Sequence, residues 1–357
     1  MTAAPEPSPG MDLHEPVPVA VVGCGRMGRL HARVYSQMPQ VRLVGVVDAN
    51  LEVARQTADQ YGGEAFTSVE SLLGRVGGVR AVTIATPTTT HLVVAEPLLR
   101  AGIACLIEMP LAKDVAEARR IVELGRQHDA LVQTGHIERF NPAVRSLRKL
   151  EIRPRFIEVT RISPLTFRSI DVGVVLDVMI HDIDIVLSLA QSKVARIDAQ
   201  GVSLIGGGTP EAPAEDICSA RLVFENGCVA DLTASRLSLK TERRLRIFST
   251  EAYVSLDYQK KHGILVRKTG NLNLLRETVE KIRTGEIRDM AGLDYMKLVK
   301  VEELTIDDVE PLRAQNDAFI RSVAGGEPPV VSGDDGLAAV EVANRIVSAI
   351  PPAEVQS

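Results

Sequence analysis

Cysteine is scarce in this chain. Four stand among 357 residues, Cys24, Cys105, Cys218 and Cys228, and no two share a C-x-x-C spacing. That excludes the common zinc and dithiol redox motifs, and the four read as buried reduced thiols of a cytosolic protein. Positive charge is not in excess either. Lys and Arg number 41 against 46 Asp and Glu, for a net charge of −5 and a pI of about 5.9. No global field therefore draws the chain to nucleic acid or to an anionic membrane. No apolar run approaches the ~18 residues of a membrane span. The opening stretch MTAAPEPSPGMDLHEP lacks the basic and apolar regions of a signal peptide and reads as a disordered tail over residues 1–16. Internal repeats are absent. These absences place the protein in the cytoplasm, without nucleic-acid or membrane partners.

What is present suits a two-domain globular protein: 45% hydrophobic and 24% charged residues, enough to bury two cores. Over the first 140 residues, near-continuous apolar runs at 17–23, 41–49, 80–87, 104–108 and 130–135 alternate with helical patterns at 27–36, 51–61, 90–101 and 115–128. Runs of this kind are strands buried on both faces, and the alternation predicts βαβ units on a parallel sheet. Beyond Asn141 the texture changes. A helical pattern at 174–189 stands among longer strand runs at 155–163, 195–204, 217–236 and 243–258. Asn226-Gly227 inside the third of these predicts a two-residue hairpin turn. Residues 270–310 are charged and poorly patterned, and two helices near 311–324 and 335–349 close the chain.

The run at 17–23 ends in Gly23-Cys24-Gly25-Arg26-Met27-Gly28, a G-x-G-x-x-G that follows a strand and opens a helix. Asp48 ends the next strand, 20 residues after Gly28. This is the context in which the motif binds a dinucleotide. Gly23 permits the tight turn, Gly25 the approach of a pyrophosphate, and Gly28 close packing of helix on strand, with the helix N-terminus facing the anion. Asp48 can accept hydrogen bonds from a ribose diol, which favours NAD over NADP, although Arg26 could accommodate a 2′-phosphate. Thr86, Pro87 and His91 follow the next strand and fall along the same groove; His91 reads equally as a helix-start residue without chemical duty. Glu108 and Met109 end the run at 104–108, where open α/β sheets hold ligands.

The fold class is therefore α/β: a parallel, doubly wound Rossmann domain over 17–138, then an α+β domain over 139–351 with an open, largely antiparallel sheet. In that second part Asp177 and His181 stand at i, i+4, one turn apart on one face of an otherwise apolar helix. Three readings compete: a satisfied core pair, a metal site and an acid–base pair tuned near neutrality. No HxxxH or cysteine cluster completes a metal site, so none is expected. His136, Glu138, Arg139 and Asn141, just after the last parallel strand, read either as substrate contacts at the mouth of a cleft or as a surface loop. On the run at 243–258, alternation puts Arg244, Arg246 and Phe248 on one face and Leu245 and Ile247 on the other. Those arginines could meet a diphosphate or simply face solvent or an interface.

Taken together, GCGRMGRLHARVY, Asp48, TPTTTH, EMP and the D-x-x-x-H of Asp177 and His181 resemble the glucose–fructose oxidoreductase, inositol dehydrogenase and rhizopine-catabolism (Gfo/Idh/MocA) family over nearly the whole chain. Within it, GHIERFNPAV, VMIHDIDI and RRLRIFSTEAYVSLDY are most similar to the UDP-N-acetylglucosamine 3-dehydrogenases. The resemblance implies an NAD(P)-dependent oxidoreductase acting on a sugar, polyol or sugar nucleotide, and a homo-oligomer, dimer or tetramer, built on the open sheet. It implies catalytic roles for His181 and Asp177. It also exposes a departure. The family motif at 108–110 is Glu-Lys-Pro, and here it is Glu108-Met109-Pro110. The family lysine reaches the reacting carbinol; methionine has no donor and only a weak acceptor. Two functions follow: a working dehydrogenase with altered or impaired turnover, and an NAD-binding protein of the same fold with disabled chemistry.

Overall fold

The computed structural model describes residues 15–148, 150, 152–166, 172–205, 214–250, 252–267, 271–288 and 300–351. Most of the expected N-terminal tail lies outside the described residues. The chain forms two compact units: the part up to Ile137 with Glu310–Val340, and Glu138–Val309 with the part after Val340.

The first unit holds strands β1 (Val17–Val22), β2 (Val41–Val47), β3 (Glu64–Phe66), β4 (Ala81–Ile84), β5 (Ala104–Glu108) and β6 (Val132–Gly135). Between them lie helices α1 (Arg26–Ser36), α2 (Leu51–Tyr61), α3 (Val69–Arg75), α4 (His91–Arg100) and α5 (Val115–Gln127). The strands are parallel in the order β3-β2-β1-β4-β5-β6. The order reverses between β1 and β4, and that reversal opens a ligand crevice at the carboxyl ends. Val19, Val21, Leu106 and Ile107 are fully buried, as strands covered on both faces require. Three helices start on side-chain caps. Asn50 accepts from Glu52 N–H, Ser68 from Ser71 N–H and Asp114 from Glu117 N–H. Helix α1 starts on Gly25 with no side-chain cap, so its first N–H groups are left for another acceptor.

The second unit contains α6 (Pro142–Leu147), β7 (Pro154–Ile162), α7 (Ile180–Ala190), β8 (Val194–Val202), β9 (Ile217–Phe224), β10 (Val229–Ser235), β11 (Glu242–Ser249), β12 (Ala252–Asp257), β13 (His262–Arg267), α8 (Asn271–Arg283) and β14 (Lys300–Glu303). Its eight strands run β14-β13-β12-β11-β7-β10-β9-β8, antiparallel except for the β10–β7 pair. Helix α7 packs on β7 and β10. Ile157, Val159, Leu245, Ile247, Val254 and Leu256 are buried at alternate positions, so one sheet face forms the core.

Four expectations need correction. Helix α9 (Pro311–Gly325) belongs to the first unit, not the second. Leu312, Phe319 and Ile320 of α9 are buried in one cluster with Val19, Val34 and Tyr35, each apolar side chain contributing about 1.5–3 kcal/mol. A short strand and a short helix, β3 and α3, fill a stretch to which the sequence pattern assigned no element. The stretch 270–310 carries α8 and β14, with 289–299 outside the described residues. The hairpin at Asn226-Gly227 has a longer loop. Phe224 pairs with Cys228, Gly227 takes φ +80°, and Asn226 accepts from Cys228 N–H; this is a three-residue loop with glycine in the left-handed position. The final helix, α10, spans Gly333–Ala349.

Candidate active site

At the carboxyl ends of β1, β2 and β4 lies a crevice of about 510 Å³, lined by Gly23, Gly25, Asp48, Thr86, Pro87 and Thr90 among others. Each glycine of the motif has a different reason to be there. Gly23 has φ +90°, and a Cβ on it would come 2.6 Å from the Ala85 carbonyl oxygen. A Cβ on Gly28 would sit 1.6 Å from the Gly23 oxygen, so only glycine lets α1 close on β1. A Cβ on Gly25 meets nothing within 4 Å. No neighbour in the protein demands a glycine at 25; a side chain there would occupy the open ground before the uncapped end of α1. Asp48 caps the turn: one carboxylate oxygen accepts from Cys24 N–H at 2.8 Å and the other from Asn50 N–H at 2.9 Å. Each oxygen keeps a second lone pair for a ligand hydroxyl. Open space, unclaimed N–H groups and a carboxylate wall are what a dinucleotide needs, so the crevice fits NAD.

The other expected cofactor residues divide. Arg26 is exposed at the start of α1, and Met27 packs inward on the core. Cys24 is fully buried, its Sγ 3.6 Å from Val47 O, and burial pushes its thiol up to about 11. Its share in the crevice is its backbone. All four cysteines are buried and unlinked. His91 does not line the crevice. It is 1% exposed, with Nδ1 3.1 Å from Pro110 O and 3.2 Å from Leu111 O, and Nε2 3.1 Å from Thr86 O. Burial lowers its pKa against the pull of those carbonyls. The ring ties the loop after β4 to the turn after β5, which makes it a brace.

Glu108 ends β5, and its carboxylate is anchored from behind. Oε1 lies 2.8 Å from Nε2 of His31, whose Nδ1 is 3.0 Å from Asn316 Oδ1 on α9. His31 is fully buried. Nothing in the local sequence joins His31 to Glu108, 77 positions away, or to Asn316, 285 away. Met109 is half-buried beside it, joined to Pro110 by a cis peptide.

In the second unit, Asp177 and His181 are both half-buried, and the helix holding them is irregular. Val175–Met179 form a π-helical turn before α7 begins. The pair thus spans a widened turn instead of the regular i, i+4 step expected, a distortion that recurs at functional sites. The next two aspartates are consumed by arginines. Arg161 Nε and a terminal nitrogen hold Asp182 at 2.7 and 2.8 Å, and Arg139 holds Asp184 at 2.6 and 2.9 Å. Arg139 thereby ties the segment after β6 to α7. Asn141 is likewise engaged: Oδ1 accepts from Ala143 N–H and Nδ2 donates to Glu138. His136, the third expected substrate contact, is fully buried in the first unit.

Glu138 is the hub of this cluster. Oε1 accepts from Arg161 at 2.9 Å and from Arg243 at 3.3 Å, and Oε2 from Asn141 at 3.0 Å. Burial would push its carboxyl up, but Arg161, His181 and Arg243 outweigh it and hold it down at about 2. Arg161 and Arg243 were not singled out in the sequence, though a signal existed. They fall on the inward parity of strands whose other inward residues are Ile157, Val159, Leu245 and Ile247. Arg244 and Arg246 occupy the opposite parity, next to Glu242 and Glu158. Among the described residues, no group of three or more His, Cys, Asp or Glu is placed to hold a metal ion, and no helix is long and apolar enough to cross a membrane.

Comparison with known proteins gives this geometry a context. Residues 17–136 match the profile of the Gfo/Idh/MocA oxidoreductase family, NAD-binding Rossmann fold, and residues 160–255 match the Gfo/Idh/MocA C-terminal domain. The UDP-N-acetylglucosamine 3-dehydrogenase of Acidithiobacillus ferrooxidans is 39% identical over 239 residues, 67% of this chain and 73% of that protein. The inositol 2-dehydrogenase of Rhizobium meliloti is 26% identical over 340 residues, 92% of this chain and 96% of that protein. A solved structure of the Acidithiobacillus enzyme superposes with a TM-score of 0.80 at 30% identity, covering 94% of this chain and 98% of that one.

Proposed function

The chain belongs to the Gfo/Idh/MocA oxidoreductase family, and from that premise we propose that it oxidises a secondary hydroxyl of a sugar nucleotide, the 3-hydroxyl of UDP-N-acetylglucosamine being the leading candidate. The observation that carries this reading is the crevice at Gly25: an N-terminus without a cap, beside Asp48, with room where a side chain would stand. A dinucleotide bound there supplies the acceptor for the substrate's hydride. Gly25 and the uncapped start of α1 receive its pyrophosphate, Asp48 its ribose, and the Asp48 carboxylate disfavours a 2′-phosphate, so NAD is preferred to NADP. Likeness to a UDP-N-acetylglucosamine 3-dehydrogenase in both sequence and fold supports the substrate class.

In this reading His181 takes the hydroxyl proton and Asp177 orients the imidazole. Met109 stands where the family carries lysine. It can neither donate to the developing alkoxide nor carry a proton. The loss of such a group commonly costs on the order of 10²–10⁴-fold. That one position favours a second reading, a cofactor-binding protein with disabled chemistry acting as a sensor or partner subunit. We place the protein in the cytoplasm as a homo-oligomer, dimer or tetramer. Support for association is the contact cluster of Phe156, Phe248 and Tyr253 on the outer sheet face, with Phe248 39% exposed.

The test is a turnover assay with NAD and UDP-N-acetylglucosamine, following reduced nicotinamide in the wild type, Met109→Lys and His181→Ala. The dehydrogenase reading expects a slow wild type, a gain on restoring lysine and loss without His181. Binding of NAD with no turnover in the wild type or Met109→Lys supports the second reading. No dinucleotide binding contradicts both.

A further inference from the structure

Five arginines on β7 and β11 of the second unit, at 155, 161, 243, 244 and 246, differ in how fully their donors are used. Arg161 is 6% exposed at its side chain and closed: a fork on Asp182 and a third bond to Glu138. Arg243 is its direct cross-strand partner in the β11–β7 register. Two like charges so placed repel each other, and both donate to the carboxylate of Glu138. Arg161 takes the short bond at 2.9 Å and Arg243 is left with a single contact at 3.3 Å. The Arg243 side chain is 45% exposed, and its guanidinium makes no other hydrogen bond to a described residue. A guanidinium fork with one long contact matches a bidentate oxyanion acceptor.

Two further features of the same cluster point to a ligand. Tyr258 is 4% exposed, its ring lies 5.9 Å from the Arg161 guanidinium, and its hydroxyl has no hydrogen-bond partner among the described residues. That hydroxyl is a buried polar group which the cluster itself leaves unsatisfied. Glu138, which Arg243 touches, also feels the charge of His181, so the arginine belongs to the electrostatic neighbourhood of the proposed base. Arg244 and Arg246 lie on the other sheet face, beside Glu242 and Glu158.

We propose that Arg243 is the specificity-determining residue of the substrate half and binds the diphosphate of a sugar nucleotide. This rests on the function proposed above and narrows it: polyols and free sugars, lacking the anion, gain nothing from Arg243. The probe is UDP, titrated by calorimetry with NAD present, against uridine, which lacks the phosphates. The wild type is expected to bind UDP at least tenfold more tightly than uridine. Arg243→Gln, which can still donate an amide to Glu138, is expected to weaken UDP by about tenfold or more, to leave uridine and NAD unchanged, and to keep its melting temperature. Arg243→Lys should recover part of the loss, and Arg244→Gln should match the wild type. In turnover, the loss should appear in KM for UDP-N-acetylglucosamine more than in kcat. UDP affinity unaltered by Arg243→Gln, equal affinity for UDP and uridine, or no UDP binding by the wild type would each overturn the proposal. UDP binding that depends on Arg243 without turnover would instead count against the dehydrogenase reading and leave Arg243 standing.

Discussion

The two units solve their chemical problems with different materials. The first makes its crevice from backbone: a tight turn at Gly23, an open approach at Gly25 and an uncapped helix end, with Asp48 as the main charged wall. The second relies on buried ion pairs, Arg161 on Asp182 and on Glu138, and Arg139 on Asp184. Backbone sites depend on the absence of side chains and tolerate almost no addition. Ion-pair sites depend on every partner being present, because a buried charge left alone costs far more than the pair contributes.

The sharpest way to break this contrast is to remove one charge. Arg161→Met leaves Asp182 and Glu138 buried without their main partner and should cost about 3–5 kcal/mol in a urea melt. Adding Asp182→Leu should return part of it. If the single substitution is harmless, the second unit does not rely on its pairs. In the first unit the corresponding probe adds a methyl group. Gly28→Ala drives a Cβ onto the Gly23 carbonyl and should cost about 3 kcal/mol or more, with loss of NAD binding. Gly25→Ala meets no atom of the protein, so stability should hold within about 0.5 kcal/mol while calorimetry shows NAD affinity falling.

Acid separates the units next. The Glu138 carboxyl sits at about 2 when folded, against an ordinary 4.5. The folded state therefore binds fewer protons, and the stabilisation is complete above pH 4.5 and lost as pH falls toward 2. That loss is roughly 3 kcal/mol, and Glu138→Gln should flatten this limb of the pH–stability curve. The smallest expected effect lies behind β5. His31→Leu strips Glu108 and Asn316 of their shared partner and should cost about 1–3 kcal/mol. It should also weaken NAD binding if the orientation of Glu108 matters to the cofactor. Paired with Glu108→Gln, the two losses should be strongly non-additive.

The contrast also governs what could be read in the sequence. A glycine spacing that begins on a strand and ends in a helix is local, so β1, α1, the crevice and Asp48 were legible together. The brace at His91 and the His31–Glu108–Asn316 chain were not, because their partners come from distant segments. Helix α9 carries an ordinary apolar stripe, which says that it packs but not on which core. In the second unit Asp177 and His181 stood out as polar residues on an apolar helix, yet the π turn between strand and helix left no mark. Arg139 and Asn141 looked like ligand contacts because they are polar in a loop; the structure spends them on Asp184, Glu138 and a helix cap. Strand parity, applied to the face of Arg244 and Arg246, was not carried to Arg161 and Arg243. It separates Arg161 and Arg243 from Arg244 and Arg246 without any coordinates.

The most direct test joins the two halves in one event. Protein in stoichiometric amount is mixed with NAD and UDP-N-acetylglucosamine, and reduced nicotinamide is followed over a single turnover, so that a slow step behind Met109 is still seen. The account predicts reduced nicotinamide formed in proportion to the protein, and none with His181→Ala. Equal yields from the wild type and His181→Ala would contradict it.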